Sequence, residues 1–264
     1  MKVILKLGGS LITIKSKPKT TRRKVIRRIV REIKDAWDDD LKLVLIHGGG
    51  SFGHYVAMEE IKEHGCLTLS SIPPVAWSMQ ELNNIIVSEL LEQGLPAVSF
   101  PPHSFCYWDT YSASFKCHLD SIVNSLENGH IPVTYGDIIY SDREKRPVII
   151  SGDDLAFIIA RRVKPDLIAF CMDVPGVLES RPSGREIVVK KLKVTDIPRI
   201  TEKLARPPAG VYDITNGIKG KLMRIKEYVE EGNKPTIVLL SGLVPRNITR
   251  ILKGEKVHGT YVTL

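Results

Sequence analysis

The feature that most narrows the fold is a recurring unit. A short run of apolar, largely β-branched residues stops at Gly, Ser or Asp and gives way to a stretch with helical spacing. Such runs occupy residues 3–7, 43–46, 97–100, 132–135, 148–150, 167–172 and 236–240. They lack the alternation of a half-exposed strand, so they suit strands covered on both faces. Helical patterns fall between several of them, at 21–37, 79–92, 119–128, 153–162 and 220–231. This alternation predicts a layered α/β fold around a mainly parallel sheet. Right-handed crossovers then gather the loops that follow the strands on one sheet edge, where such folds bind ligands.

Segments 141–147 and 180–194 interrupt the pattern and read as hairpins or surface insertions. The expected division is an N-terminal lobe, 1–160, and a C-terminal lobe, 161–264, sharing one sheet. A chain of 264 residues that is 43% hydrophobic buries roughly 70–75% of its unfolded surface, enough for a core without disulfides or a structural metal. Cys66, Cys106, Cys117 and Cys171 form no CxxC pair and read as buried or incidental thiols of a reducing compartment. No apolar stretch reaches roughly 18 residues. Residues 2–7 already read as a strand. Neither a membrane span nor a signal peptide is therefore expected, and the default location is cytoplasmic.

The net charge of +8, from 38 Lys+Arg and 30 Asp+Glu, favours anionic partners without choosing among them. Part of that charge lies in the basic stretch 15–34. From residue 21 onward its apolar members Val25, Ile26, Ile29, Val30, Ile33 and Trp37 form a single stripe, the pattern of a solvated amphipathic helix. No aromatic residues interleave with the basic ones to stack bases, so nucleic acid is not an expected partner.

Three glycine-bearing turns follow strands. Lys6-Leu7-Gly8-Gly9-Ser10 is either a tight turn or a place where backbone N–H groups and the Lys6 ammonium converge on an anion. His47-Gly48-Gly49-Gly50-Ser51-Phe52-Gly53-His54 contains G-x-G-x-x-G, but no strand ending in an acidic residue follows at the distance a dinucleotide site needs. What remains is a backbone nest at a helix N-terminus, suited to phosphate, with His54 beside it. In Ser151-Gly152-Asp153-Asp154 the carboxylates either cap a helix or hold lysines in place and approach Mg²⁺ through water. No His, Asp or Glu cluster has transition-metal spacing. The run 213–221 is a glycine-spaced turn leading into a basic helix start that carries Lys219 and Lys221. Walker A and protein-kinase motifs are absent. Together these features describe phosphoryl transfer between two anionic reactants, which needs positioning and charge neutralisation more than a nucleophile or a base.

These residues resemble the amino acid kinase superfamily and, within it, the isopentenyl phosphate kinases of archaeal type. The likeness spans KLGGS with Thr13 and Lys15, HGGGSFGH at 47–54, SGDD at 151–154, DVPGV at 173–177, DITNGIKGKL at 213–222 and HGTYV at 258–262. The resemblance implies an open three-layer αβα sandwich, with the acceptor in the N-terminal lobe and ATP, carrying Mg²⁺, in the C-terminal lobe. It implies that Gly49, His54 and Gly152 hold the acceptor phosphate, with His54 selecting it. Lys6, Gly8, Gly9, Ser10 and Gly50 would surround the transferred phosphate, with Lys15 stabilising its developing charge. Asp173, Gly217 and Lys221 would line the nucleotide site. Asn216-Gly217 departs from the paired glycines of many relatives. An apolar slot for a prenyl tail is expected among Val75, Met79, Leu82, Ile86, Val133 and Ile139. Phosphorylation of isopentenyl phosphate by ATP, in a homodimer, is the implied activity. A kinase for uridylate or another alkyl monophosphate, and a nucleotide-binding protein without turnover, stand as alternatives.

Overall fold

The computed structural model describes residues 1–180, 186–203 and 217–264. The chain opens with β1 (Lys2–Leu7), the single turn α1 (Gly9–Ile12), α2 (Arg23–Ala36), β2 (Lys42–His47), α3 (Gly50–His64) and α4 (Ile72–Glu92). It continues with β3 (Ala97–Ser99), the hairpin β4 (Cys106–Asp109) and β5 (Ser114–Cys117), α5 (Asp120–Glu127) and β6 (Ile131–Tyr135). A second hairpin, β7 (Asp137–Ile139) and β8 (Val148–Ile150), leads into α6 (Gly152–Val163) and β9 (Leu167–Met172). Then come β10 (Leu178–Ser180), β11 (Glu186–Val188), β12 (Lys191–Lys193) and α7 (Ile197–Lys203). The chain closes with α8 (Gly217–Glu230), β13 (Thr236–Ser241), α9 (Asn247–Leu252) and β14 (Gly259–Thr263).

Among the described residues the central sheet has eight strands in the order β12-β14-β13-β9-β1-β2-β6-β3. Every neighbouring pair is parallel except β13 and β14. Each central strand divides its side chains between two cores, as a two-period backbone must. Val3, Leu5 and Leu7 of β1 pack with α2, α4 and α9, whereas Ile4 packs with α5, α6 and α8. Each such fully buried aliphatic side chain contributes about 1.5–3 kcal/mol. The result is the expected three-layer α/β sandwich. Lys6 shares the parity of Ile4, so β1 carries its ammonium toward the α6 and α8 side at the ligand edge.

Several boundaries differ from the sequence expectation. The helix expected over 79–92 begins at Ile72, because Pro73 and Pro74 sit in its first turn, where the missing N–H groups have no intrahelical partner to lose. The interruption at 141–147 is the connection of the β7–β8 hairpin, and 180–194 holds the β10–β11 hairpin, with 181–185 outside the described residues. Residues 213–216, including Asn216, also lie outside them.

The cysteine reading requires correction. Cys106 and Cys117 face each other across β4–β5 with Cα atoms 4.1 Å apart and form a disulfide, leaving Cys66 and Cys171 free. Direct antiparallel register brings them together, and no spacing motif announces it. Among the described residues no helix is long and apolar enough to cross a membrane.

Candidate active site

Two glycine turns lie back to back at the C-terminal ends of β1 and β2, which pair in parallel from Lys2 and Lys42 to Leu7 and His47. Their contact explains two of the glycines. A Cβ on Gly9 would lie 2.4 Å from the backbone N of Gly50, and one on Gly50, which has φ +49°, would lie 2.0 Å from Thr13 Oγ1. Any larger residue would force the turns apart or strain the backbone. Gly50 opens α3, so backbone N–H groups at the helix start face the same space as His54, in the second turn.

That space is a cleft of about 760 Å³, lined by Lys6, Gly8, Gly9, Ser10, Lys15, Gly49, Gly50, His54, Met79, Gly152, Asp173, Gly217 and Lys221. The structure therefore brings together the phosphate- and nucleotide-site residues singled out from the sequence, with Val75 and Met79 of the expected tail slot, but not Leu82, Ile86, Val133 or Ile139. Ile86 is buried in the core under α4, as are Leu82 and Val133, while Ile139 is buried in the opposite core. Apolar spacing marks the whole inner stripe of α4, but only its first turns, carrying Val75 and Met79, run beside the cleft. The Met79 sulfur lies 3.0 Å from where a Cβ on Gly49 would stand. Ile149 and Ala57 complete the apolar wall. The sequence reading missed Ala57 even though His54, Ala57 and Met58 share one helical face. Ile149 arrives through a hairpin whose pairing no local motif reveals.

A buried ionic triad forms the floor. Lys6 Nζ lies 2.8 Å from Asp153 Oδ1, and Lys221 Nζ donates to Asp153 Oδ2 at 2.6 Å. Lys221 Nζ also stands 4.5 Å above the ring of Phe170, the register partner of Lys6 on β9. Burial alone would raise the Asp153 carboxyl, but the fields of Lys221 and Lys6, with their hydrogen bonds, outweigh it and hold the group well below the usual carboxylate range. Burial pushes the Lys221 ammonium down to about 8, against the opposing pull of Asp153 and with the repulsion of Lys6. One carboxylate between two ammonium groups leaves positive charge in excess, facing a cleft edged by backbone N–H donors. An anion supplies what is missing.

The two readings of the paired aspartates divide between them. Asp153 holds lysines, whereas Asp154 is a cap: its Oδ2 accepts from Ser151 N at 3.0 Å, and its own N–H donates to Ser151 Oγ at 3.0 Å. Asp154 also pairs with Arg224, one turn beyond Lys221 on α8. Ser10 Oγ donates to Asp173 Oδ1 at 2.9 Å, tying the first glycine turn to the end of β9.

His47 has a structural task instead. It is fully buried, stacks on Tyr135 with ring centroids 5.1 Å apart, and its Nε2 lies 3.2 Å from Asn83 Oδ1. Burial pushes its pKa down to about 4, so the ring is neutral near pH 7. A second polar pair borders the apolar wall, where His103 Nδ1 lies 2.7 Å from Asp137 Oδ2. The hydrogen bond to Asp137 raises the His103 pKa, and burial raises that of Asp137.

Among the described residues no group of three or more His, Cys, Asp or Glu side chains is arranged to hold a metal ion. The donors that dominate the cleft are lysines and backbone N–H groups, a set fitted to phosphate oxygens.

The chain matches the amino acid kinase family over residues 1–239 and belongs to it. It is an ATP-dependent phosphotransferase. The chain is 34% identical to the isopentenyl phosphate kinase of Methanocaldococcus jannaschii, with 99% of this chain and 98% of that protein covered. Identity and coverage are the same for the isopentenyl phosphate kinase of Methanothermobacter thermautotrophicus. A crystal structure of an isopentenyl phosphate kinase superposes with a TM-score of 0.79 at 28% identity, covering the whole of both chains. Within the amino acid kinase family, the chain belongs with the isopentenyl phosphate kinases.

Proposed function

We propose that this protein transfers the γ-phosphoryl group of ATP to isopentenyl phosphate, forming isopentenyl diphosphate and ADP. The observation that carries the reading is His54 on the wall of a cleft that is cationic at one end and apolar at the other, where Val75, Met79, Ala57 and Ile149 stand. A phosphate monoester with a short hydrocarbon tail matches both ends. A nucleoside acceptor would ask for polar groups where these side chains are.

In this reading Gly49, His54 and Gly152 grip the acceptor phosphate. One of its terminal oxygens, already ionised near neutral pH, attacks the γ-phosphorus in line. The bond from that phosphorus to the β–γ bridging oxygen breaks, and ADP leaves with the electron pair. No base is required. Lys6, Gly8, Gly9, Ser10 and Gly50 surround the group in flight, and Lys15 and Lys221 neutralise the charge that spreads over its oxygens. Asp173, Gly217 and Lys221 border the nucleotide, which brings Mg²⁺ with it. Asp153 keeps the two buried lysines apart and aimed. The acceptor belongs to the lobe 1–160 and ATP to the lobe 161–264. A homodimer in the cytoplasm completes the proposal.

The test is coupled ADP release across isopentenyl phosphate, shorter and longer alkyl phosphates, uridylate and isopentenol. The expected result is fastest turnover with isopentenyl phosphate and none with isopentenol, which lacks the phosphate. Equal or faster turnover of uridylate contradicts the reading.

A further inference from the structure

We infer that Thr13 and Ser51 are positioning residues that set Lys15 against the two glycine turns. This rests on the role proposed above for Lys15. Thr13 is fully buried at the end of the first glycine turn, and Ser51 is buried at the start of α3. Thr13 Oγ1 donates to Gly9 O at 2.8 Å and accepts from Ser51 N at 2.9 Å, so one hydroxyl joins both turns. Ser51 in turn holds the far side of the loop that carries Lys15. Its carbonyl accepts from Lys19 N at 3.1 Å, and its Oγ accepts from Thr20 N at 3.2 Å. Ile14 N donates to Thr20 O at 2.9 Å, and Thr13 bridges Thr21 across the neck.

The loop is thus closed at its base by the Ile14–Thr20 backbone bond and by contacts that pass through these two residues, while residues 15–19 are exposed. An exposed lysine on an untethered loop would lose rotamer and backbone freedom each time it met the transferring phosphate. Closing the neck removes part of that cost in advance. Lys19 adds an outer pin, its Nζ 2.7 Å from Glu81 Oε2. That pair is half exposed and contributes little. The buried hydroxyl carries the placement, because leaving the Ser51 N–H unpaired in the interior is costly.

The experiment is a double-mutant cycle of Thr13→Val with Lys15→Ala, with Thr13→Ser as the conservative control, run on the best acceptor of the phosphate panel. Thr13→Val is expected to lower kcat about 10- to 100-fold with both KM values within about threefold, and Thr13→Ser to restore most of the rate. In the Lys15→Ala background Thr13→Val is expected to change kcat less than about twofold, because the node acts through Lys15. Full additivity, or an unchanged rate in Thr13→Val, overturns the inference while leaving the proposed acceptor standing. Wild-type preference for another acceptor overturns the substrate and leaves the cycle readable.

Amide hydrogen exchange reads the node without turnover. Thr13→Val is expected to speed exchange at Ile14, Lys19 and Thr20, and Thr13→Ser to leave it near wild type. Unchanged exchange in Thr13→Val contradicts the inference. Should Thr13→Val not fold, Ser51→Ala, which removes only the Oγ contacts to Thr20, is expected to lower kcat in the same direction. An unchanged rate in Ser51→Ala overturns the inference.

Discussion

The two ends of the central sheet carry the same three-group arrangement in opposite surroundings. At the N-terminal ends of β1 and β2, Lys2 and Lys42 share the carboxylate of Glu127, with Lys2 Nζ 3.1 Å from it. At the C-terminal end of β1, Lys6 shares Asp153 with Lys221. The outer side chains are 34–41% exposed and the inner ones 6–11%. Strand β1 contributes a lysine to each, four residues apart. Surroundings decide what the shared chemistry does. The outer triad trades its contacts with water and salt, whereas the inner one stores a charge imbalance that an incoming phosphate relieves.

The largest expected effect comes from removing the inner carboxylate. Asp153→Asn leaves two buried ammonium groups uncompensated and is expected to destabilise the fold by about 3–5 kcal/mol, read by denaturant unfolding, and to abolish ADP release. A variant that melts like the wild type would mean that the triad is not buried in solution. Next comes the pair of lysines on one strand. Lys6→Ala is expected to lower kcat by about 10²–10³, the usual cost of losing a donor aimed at developing charge, while Lys2→Ala leaves kcat unchanged. Equal effects on steady-state rates would erase the distinction between the ends.

The third effect is in pH. Lys221 titrates at about 8 in the free protein, so kcat/KM for ATP, which reports groups of the free enzyme, is expected to fall as pH rises through about 8. Lys221→Arg is expected to move that limb upward, since guanidinium stays charged. A profile identical in the two proteins would assign the limb to another group. Stability from the same lysine runs the other way. Its pKa is depressed from 10.5 to about 8, the unfolded chain binds more protons across that window, and stability rises with pH through it. Asp153 acts at the acid side. Its pKa is held below the ordinary 3.8, so its contribution is present above that value and is lost as pH falls below it. The smallest effect is expected at the outer triad. Glu127→Gln should leave the melting temperature and turnover within error at low and high salt, and a clear salt-dependent loss would show that the exposed triad does more than its surroundings allow.

Much of the architecture was legible because the buried strands carry apolar runs that end where the chain must turn, and Gly8-Gly9 and Gly48-Gly49-Gly50 advertise backbone approach directly. The inner triad was only half legible. Asp153 stands at a helix start, where capping is the ordinary explanation, Lys221 follows a run that reads as a plain helix entry, and their meeting depends on α6 and α8 packing side by side on one face of the sheet. Ile86 misled for a related reason: periodicity reports which face of α4 is buried, not which stretch of that face borders an opening. The disulfide stayed hidden because hairpin register, rather than a spacing motif, aligns Cys106 with Cys117. The helix expected over 79–92 starts at Ile72, its first turn accepting Pro73 and Pro74.

The measurement that bears most directly on the whole account is steady-state kinetics of His54→Ala with isopentenyl phosphate, beside ATP binding by calorimetry. The account predicts a loss of at least about 100-fold in kcat/KM for the acceptor, as expected when a charge-assisted contact to phosphate is removed, with the ATP dissociation constant within about twofold of wild type. Equal losses on the two sides, or an acceptor that binds the variant as well as the wild type, would contradict it.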